Sequence, residues 1–204
     1  MTARALFAPA LVLLLLLSGC ATSPLLPSGT WAERQAQLEQ LDDWRLTGKL
    51  GVRIPGENGS ATLRWRQTPN DYTLDLSGPF GSGRLLIEGQ PGAVTLYQGS
   101  EPPLTASTAE ELIFLSTQWT IPVTHLTWWV RALPAPRLKI TQGETNAQGH
   151  LTTLEQAGWR LQYSQYQPVA SANGNLLMPG KILAEYGDIR LTLIIREWHL
   201  GATD

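Results

Sequence analysis

The residues able to do chemistry are few, and their spacing works against most reactions. His125, His150 and His199 are far apart and form no i, i+4 pair, and Cys20 is the only cysteine, so no zinc-ligand spacing exists. Ser82 lies between Gly81 and Gly83, but the strand–elbow–helix context and G-x-S-x-G spacing of a hydrolase nucleophile are missing. Gly78, Gly81 and Gly83 precede a strand-like run, so no helix N-terminus follows to hold a phosphate. Asp42-Asp43 and Glu110-Glu111 sit beside helix-capping signals, where acidic residues complement a helix end rather than act as acid and base. These patterns give no catalytic, metal or cofactor assignment. The chain reads as a non-enzyme.

Cys20 has a different chemistry. Residues 1–19 carry Arg4, the apolar run "LFAPALVLLLLL" and then small residues, a secretory signal too short for a comfortable membrane span. A single cysteine forms no internal disulfide, and in an exported chain it needs its own explanation. "Leu17-Ser18-Gly19-Cys20" resembles the lipobox of bacterial lipoproteins, which implies cleavage before Cys20 and acylation of its sulfur and new amine. Ala21 follows where aspartate would imply retention at the inner membrane, so this resemblance implies the outer membrane. Residues 20–29, "CATSPLLPSG", have the composition of a tether. Residues 30–204 then form a single domain. Without Arg4 the mature chain has 14 Lys and Arg (15 − 1) against 17 Asp and Glu, so no basic excess favours nucleic acid.

Aromatic residues carry the remaining signal. Eight tryptophans are present, namely Trp31, Trp44, Trp65, Trp119, Trp128, Trp129, Trp159 and Trp198. A solid core of this size has difficulty burying them all, whereas a cavity with an apolar wall would use them. Phe80 stands at the tip of "LSGPFGSGRLL" between Pro79 and Gly81, where turn geometry points it away from both flanking runs. An apolar residue there is a tool for touching an apolar phase or an inconsequential turn residue.

The elements that must position these residues follow from the apolar periodicity. Thr30-Trp31-Ala32-Glu33 is a capping box opening a helix whose apolar face is Trp31, Leu38, Leu41 and Trp44. The period then becomes two. Leu46 to Ile54, Ala61 to Trp65 and Tyr72 to Leu76 alternate apolar with polar, and further strand-like runs are "RLLIEG", "AVTLYQG", "HLTTLEQ", "WRLQYSQY", "KILAEY" and "IRLTLIIREW". Many short strands with turn signals between them indicate a mainly β fold, an antiparallel meander closed or half-closed into a barrel. Two helical inserts interrupt it, one opened by a second capping box, Ser107-Thr108-Ala109-Glu110, and one, "HLTWWVRAL", capped by Thr124. Rich in large apolar residues, they are expected to cover the mouth or inner face of the sheet as a lid or plug.

Taken in order, the lipobox, "LRWRQTPNDYTLDLSGPFGSGRLLIEGQPGAVTLY", "AEELIFLSTQWTIPVTHLTWWVRALP", "WRLQYSQY", "MPGKI" and "IRLTLIIREW" resemble the LolB family of outer-membrane lipoprotein receptors over essentially the whole mature chain. The resemblance implies an incomplete antiparallel barrel whose helical lid encloses a hydrophobic cavity. It implies a lipid-anchored monomer on the periplasmic side of the outer membrane, whose partners are the periplasmic carrier LolA, acylated client lipoproteins and the bilayer. Wall candidates, inferred from alternation, are Leu50, Val52, Leu63, Trp65, Leu74 and Leu76, with Trp129 from the lid. Phe80 corresponds to the apolar membrane-contact residue of the family's loop, commonly leucine there. Two rival readings use the same features: a lipocalin-like carrier of a free lipid or small apolar ligand, and a lipoprotein that scaffolds another assembly with a filled barrel.

Overall fold

The structure, a computed structural model, describes residues 30–78, 83–117 and 120–201. Its sheet begins with β1 (Trp44–Ile54), β2 (Glu57–Gln67), β3 (Tyr72–Ser77), β4 (Arg84–Gln90), β5 (Ala93–Gln98) and β6 (Leu104–Ala106). The second half holds β7 (Ile140–Thr145), β8 (Leu151–Gln156), β9 (Trp159–Ser164), β10 (Gln167–Ser171), β11 (Gly174–Met178), β12 (Lys181–Tyr186) and β13 (Ile189–Leu200). Eleven of these form one antiparallel sheet in the order β6-β5-β4-β3-β2-β1-β13-β12-β9-β8-β7, and β10 and β11 pair separately. The edge strands β6 and β7 do not pair with each other, so the curved sheet is an open barrel.

Alternation decides the sheet's faces. On β1, Trp44 and Leu46 are buried and Lys49 and Arg53 exposed, as expected of a strand with one dry side. Pro55-Gly56 reverses the chain tightly, pairing Ile54 with Glu57, and Gly56 takes the positive φ of +80° that glycine tolerates. The register of β1 on β13 shifts between Thr47 and Gly48, where a β-bulge bends the sheet. A Cβ at Gly48 would fall 2.3 Å from the Ile194 carbonyl oxygen, so only glycine lets β13 approach there.

Three helices lie off the sheet: α1 (Trp31–Glu39), α2 (Ala109–Thr117) and α3 (Val123–Trp129). The expected capping box of α1 forms, with the Glu33 backbone N–H donating to Thr30 Oγ1 (3.3 Å) and the Thr30 N–H to Glu33 Oε2 (2.8 Å). The helix is shorter than its apolar spacing suggests. It ends at Gln40, so Leu41 follows it and Trp44 opens β1. The α2 signal is displaced by one residue: Thr108 Oγ1 accepts from the Glu111 N–H (3.2 Å), and Glu111 accepts from the Ser107 N–H (3.0 Å). Thr124 does not cap α3. Pro122 precedes the helix without a side-chain cap, and the Thr124 N–H instead donates to Glu110 of α2 (2.7 Å).

The tryptophans divide differently from the expectation that they line a cavity. Trp44 packs against Trp65 (5.1 Å between ring centroids) and Trp198 (5.6 Å), forming a solid base to the half-barrel. Trp159 stacks on Tyr186, and Trp119 lies outside the described residues.

Candidate ligand cavity

Between the concave side of the sheet and the two inserts is a cavity of about 460 Å³. Leu50 and Val52 of β1, Leu63 and Trp65 of β2, Leu74 and Leu76 of β3, and Trp129 at the end of α3 all line it. Register explains the grouping. Leu46, Trp65, Leu74 and Ile87 are cross-strand neighbours in one row, and Leu63, Leu76 and Leu85 share the next. Trp65 is 3% exposed and Leu63 4%, whereas Leu50, Val52, Leu76 and Leu85 are half-buried. The cavity therefore deepens towards the tryptophan base and opens at the sheet end carrying the β1–β2 and β3–β4 connections. Cys20 and Phe80 lie outside the described residues, although Gly78 and Gly83, which flank the Phe80 turn, are joined at that end by an N–H···O=C bond of 3.2 Å.

The inserts form the lid. Leu112 and Ile113 of α2 and Val123 and Leu126 of α3 face the cavity, while Phe114 and Leu115 remain exposed on the outside of α2. The far wall, Leu161, Ile182, Ala184, Leu191 and Leu193, belongs to β9, β12 and β13. Sequence reading found these strands but assigned no inward face to them, although the alternation of Ile189, Leu191, Leu193 and Ile195 carries that signal. Among the described residues, Gln98 is the only polar one along the lining. A larger hollow of about 670 Å³ lies between α1 and the β10–β11 hairpin, but Glu33, Asp42, Asp43 and Asn175 make its wall hydrophilic. It suits water better than an apolar ligand.

Buried polar groups hold the lid in place, and periodicity does not reveal them. The fully buried Gln156 accepts hydrogen bonds at Oε1 from Trp129 Nε1 (2.9 Å) and the Ala135 N–H (2.8 Å). Its Nε2 donates to the carbonyls of Ala135 (3.1 Å) and Leu138 (3.2 Å). The amide thus fixes both the Trp129 ring and the chain leaving α3. Arg131 donates from Nε to the Thr127 carbonyl (3.0 Å) and from an Nη to the carbonyls of Leu38 and Leu41, joining the lid to the end of α1. Burial lowers its pKa to about 10, which leaves the guanidinium charged at neutral pH, and it lies 4.9 Å over the Trp128 ring. Burial, with Glu110 nearby, raises the Tyr72 phenol to about 12, so Tyr72 stays neutral. Among the described residues, no three His, Cys, Asp or Glu side chains are grouped to hold a metal ion. Among the described residues, the cavity lining is an apolar enclosure.

These features place the chain in the class of open β-barrels with a helical lid over an apolar cavity. A family profile described as "Outer membrane lipoprotein LolB" matches residues 42–198, and the chain belongs to the LolB family. A relative named "Outer-membrane lipoprotein LolB" from Cellvibrio japonicus is 48% identical over 186 residues, covering 91% of this chain and 92% of that protein. One of the same name from Pseudomonas aeruginosa is 40% identical, covering 91% of each. Among solved structures, a LolA superfamily protein from Nitrosomonas europaea superposes with a TM-score of 0.54 at 8% identity, over 87% of this chain and 96% of that one. That likeness bears on the fold alone.

Proposed function

We propose that the chain is an outer-membrane receptor that accepts lipoproteins from the periplasmic carrier LolA, holds their acyl chains in the cavity and releases them into the outer membrane. The observation that carries this reading is a lidded cavity whose described lining is apolar but for Gln98. Each acyl CH₂ exposed to water costs about 0.8 kcal/mol, so acyl chains cross an aqueous space only when enclosed. Transfer needs no nucleotide and no covalent step. It needs the receptor to hold the chains more tightly than the carrier and less tightly than the bilayer, about 1.4 kcal/mol for each tenfold bias. The names of the relatives, outer-membrane lipoproteins, support the location.

In this reading residues 1–19 are removed, acylated Cys20 anchors the chain, residues 20–29 are a tether and residues 30–204 form the receptor domain. Among the described residues no helix is long and apolar enough to cross a membrane. Phe80 touches the bilayer during release. Inserting one phenylalanine yields only about 1.5–3 kcal/mol, too little to anchor a protein but enough to orient one already tethered.

Replacing this side chain separates acceptance from release. Phe80→Glu is expected to accept client from LolA at the wild-type rate and deliver it to liposomes more slowly, because a charged tip resists the apolar phase. Phe80→Leu keeps an apolar probe and should behave as wild type. The distribution of an acylated client among carrier, receptor and liposomes over time reads both steps. Wild-type delivery by Phe80→Glu would make the turn ordinary surface, and failed acceptance would move Phe80 to the cavity or the carrier interface.

A further inference from the structure

The lining of the cavity changes character at one residue. Leu63, Leu76, Leu85 and Gln98 are cross-strand neighbours in a single row across β2, β3, β4 and β5. Leu63 is buried, Leu76 and Leu85 are half-buried and Gln98 is exposed, so the row climbs from the depth of the cavity to its opening. On β5 itself Val94 and Leu96 are buried, and Gln98 is the next position on the same face. An alternation that places apolar residues at the two deeper positions places an amide at the third.

A second, more polar hollow adjoins the cavity at this end, with Arg84, Ser100 and Glu101 in its wall. Leu85 and Gln98 border both. Arg84 is held by Asp75 (2.9 Å). The Gln98 main-chain carbonyl accepts from the Glu101 N–H (3.1 Å), and among the described residues the side-chain amide has no hydrogen-bond partner. Its two donors and one acceptor therefore stand where an apolar enclosure meets a polar one.

We infer that the Gln98 side chain hydrogen-bonds the carbonyl that joins an acyl chain to the rest of its molecule, and so sets how deeply the chain enters. The inference rests on the reading of the cavity as an acyl-chain site. Every acyl group ends in a carbonyl, which has water partners in solution and loses them as the chain is drawn in. Deeper than Gln98 the described lining gives it no replacement: Trp65 Nε1 is itself buried, and Trp129 Nε1 already donates to Gln156. Short of Gln98, the last methylenes stay in water. The favoured depth puts the carbonyl at the amide, the hydrocarbon against Leu63, Leu74 and Trp65, and the polar remainder of the ligand in the outer hollow. An acylated amine adds an N–H that Gln98 Oε1 accepts. A hydrocarbon without a carbonyl gains nothing from the amide, so the same residue favours acyl ligands over alkyl ones.

The test uses the full acylated chain in a mild detergent below its micelle concentration, with two dansyl-labelled serine peptides, one O-palmitoylated and one O-hexadecylated. The two have equal chain length and differ by the carbonyl. Energy transfer from tryptophan to dansyl reads binding. Gln98→Leu is expected to weaken binding of the palmitoyl peptide by about fivefold, as loss of one hydrogen bond implies, and to leave the hexadecyl peptide within about twofold of wild type. Gln98→Glu isolates donation, because a carboxylate accepts but does not donate at neutral pH, and the ratio of palmitoyl to hexadecyl affinity should fall as it does in Gln98→Leu. Thermal unfolding of both variants should match wild type, since Gln98 is exposed at the end of its strand. Equal weakening of the two peptides in Gln98→Leu, or no weakening of either, overturns the inference and leaves the cavity reading standing. A ratio preserved in Gln98→Glu also overturns it. A folded wild-type chain that binds neither peptide overturns the inference and the cavity reading together.

Discussion

Gln156→Leu is expected to lower stability by about 3–5 kcal/mol, although the two side chains have similar size. The amide makes four hydrogen bonds in a fully buried position, so leucine strands the Trp129 and Ala135 N–H groups and the Ala135 and Leu138 carbonyls. Each buried unsatisfied group costs about 1–3 kcal/mol, and local relaxation recovers part of the sum. At about 2–4 °C per kcal/mol for a domain of this size, the unfolding midpoint should fall by about 10 °C. Trp129, no longer held, should show red-shifted emission. Gln156→Glu separates hydrogen bonding from shape. Burial raises the introduced carboxyl's folded pKa above its unfolded value of about 4.3, so between these values the native state binds more protons than the unfolded state. Stability relative to wild type should therefore be greatest below about pH 4 and fall as pH rises through the folded pKa. A leucine variant within about 1 kcal/mol of wild type, with unchanged emission, would show that the amide does not hold the lid.

The second large effect is Trp65→Asp. Trp65 is 3% exposed, with the cavity on one side and the Trp44 ring 5.1 Å away on the other. Loss of a buried tryptophan costs about 3–5 kcal/mol, and an unpaired carboxylate in the apolar wall adds to that. The variant should lose binding of a fluorescent acyl probe by more than about tenfold and unfold at lower temperature. Trp65→Phe keeps the wall apolar and should retain most of the binding at a smaller cost in stability. If Trp65→Asp binds the probe as wild type does while folded, the cavity is not where acyl chains go.

The near wall was legible because β1, β2 and β3 each have one dry and one solvated side, and a period of two then assigns every residue. β7 offers no such contrast, since all of Ile140–Thr145 is exposed, and the three-residue β6 is too short to show a period. Pro168 and the turn residues hid the β10–β11 pair. Helical spacing carried Leu41 and Trp44 past the true end of α1, because i+3 and i+6 positions fit a helix whether or not the backbone turns at Gln40. The lid's fastenings were least visible. Gln156 meets Ala135 across 21 residues, Arg131 meets Leu38 across 93, and the Thr124 N–H meets Glu110 across 14, where a local reading had Thr124 as a helix cap. Such bonds depend on which segments the fold brings together, and propensity carries no record of that.

The most direct test of the proposed function is transfer without a membrane, followed by transfer to one. Purified LolA loaded with an acylated client is mixed with the chain, and the client is followed by affinity capture of each protein. The account predicts that most of the client moves from LolA to the wild-type chain without nucleotide, that it stays on LolA with Trp65→Asp, and that added liposomes then draw it from the wild-type chain. A client that remains on LolA while the folded chain still binds a free acyl probe would contradict the account, and would make the chain a lipocalin-like carrier of free lipid.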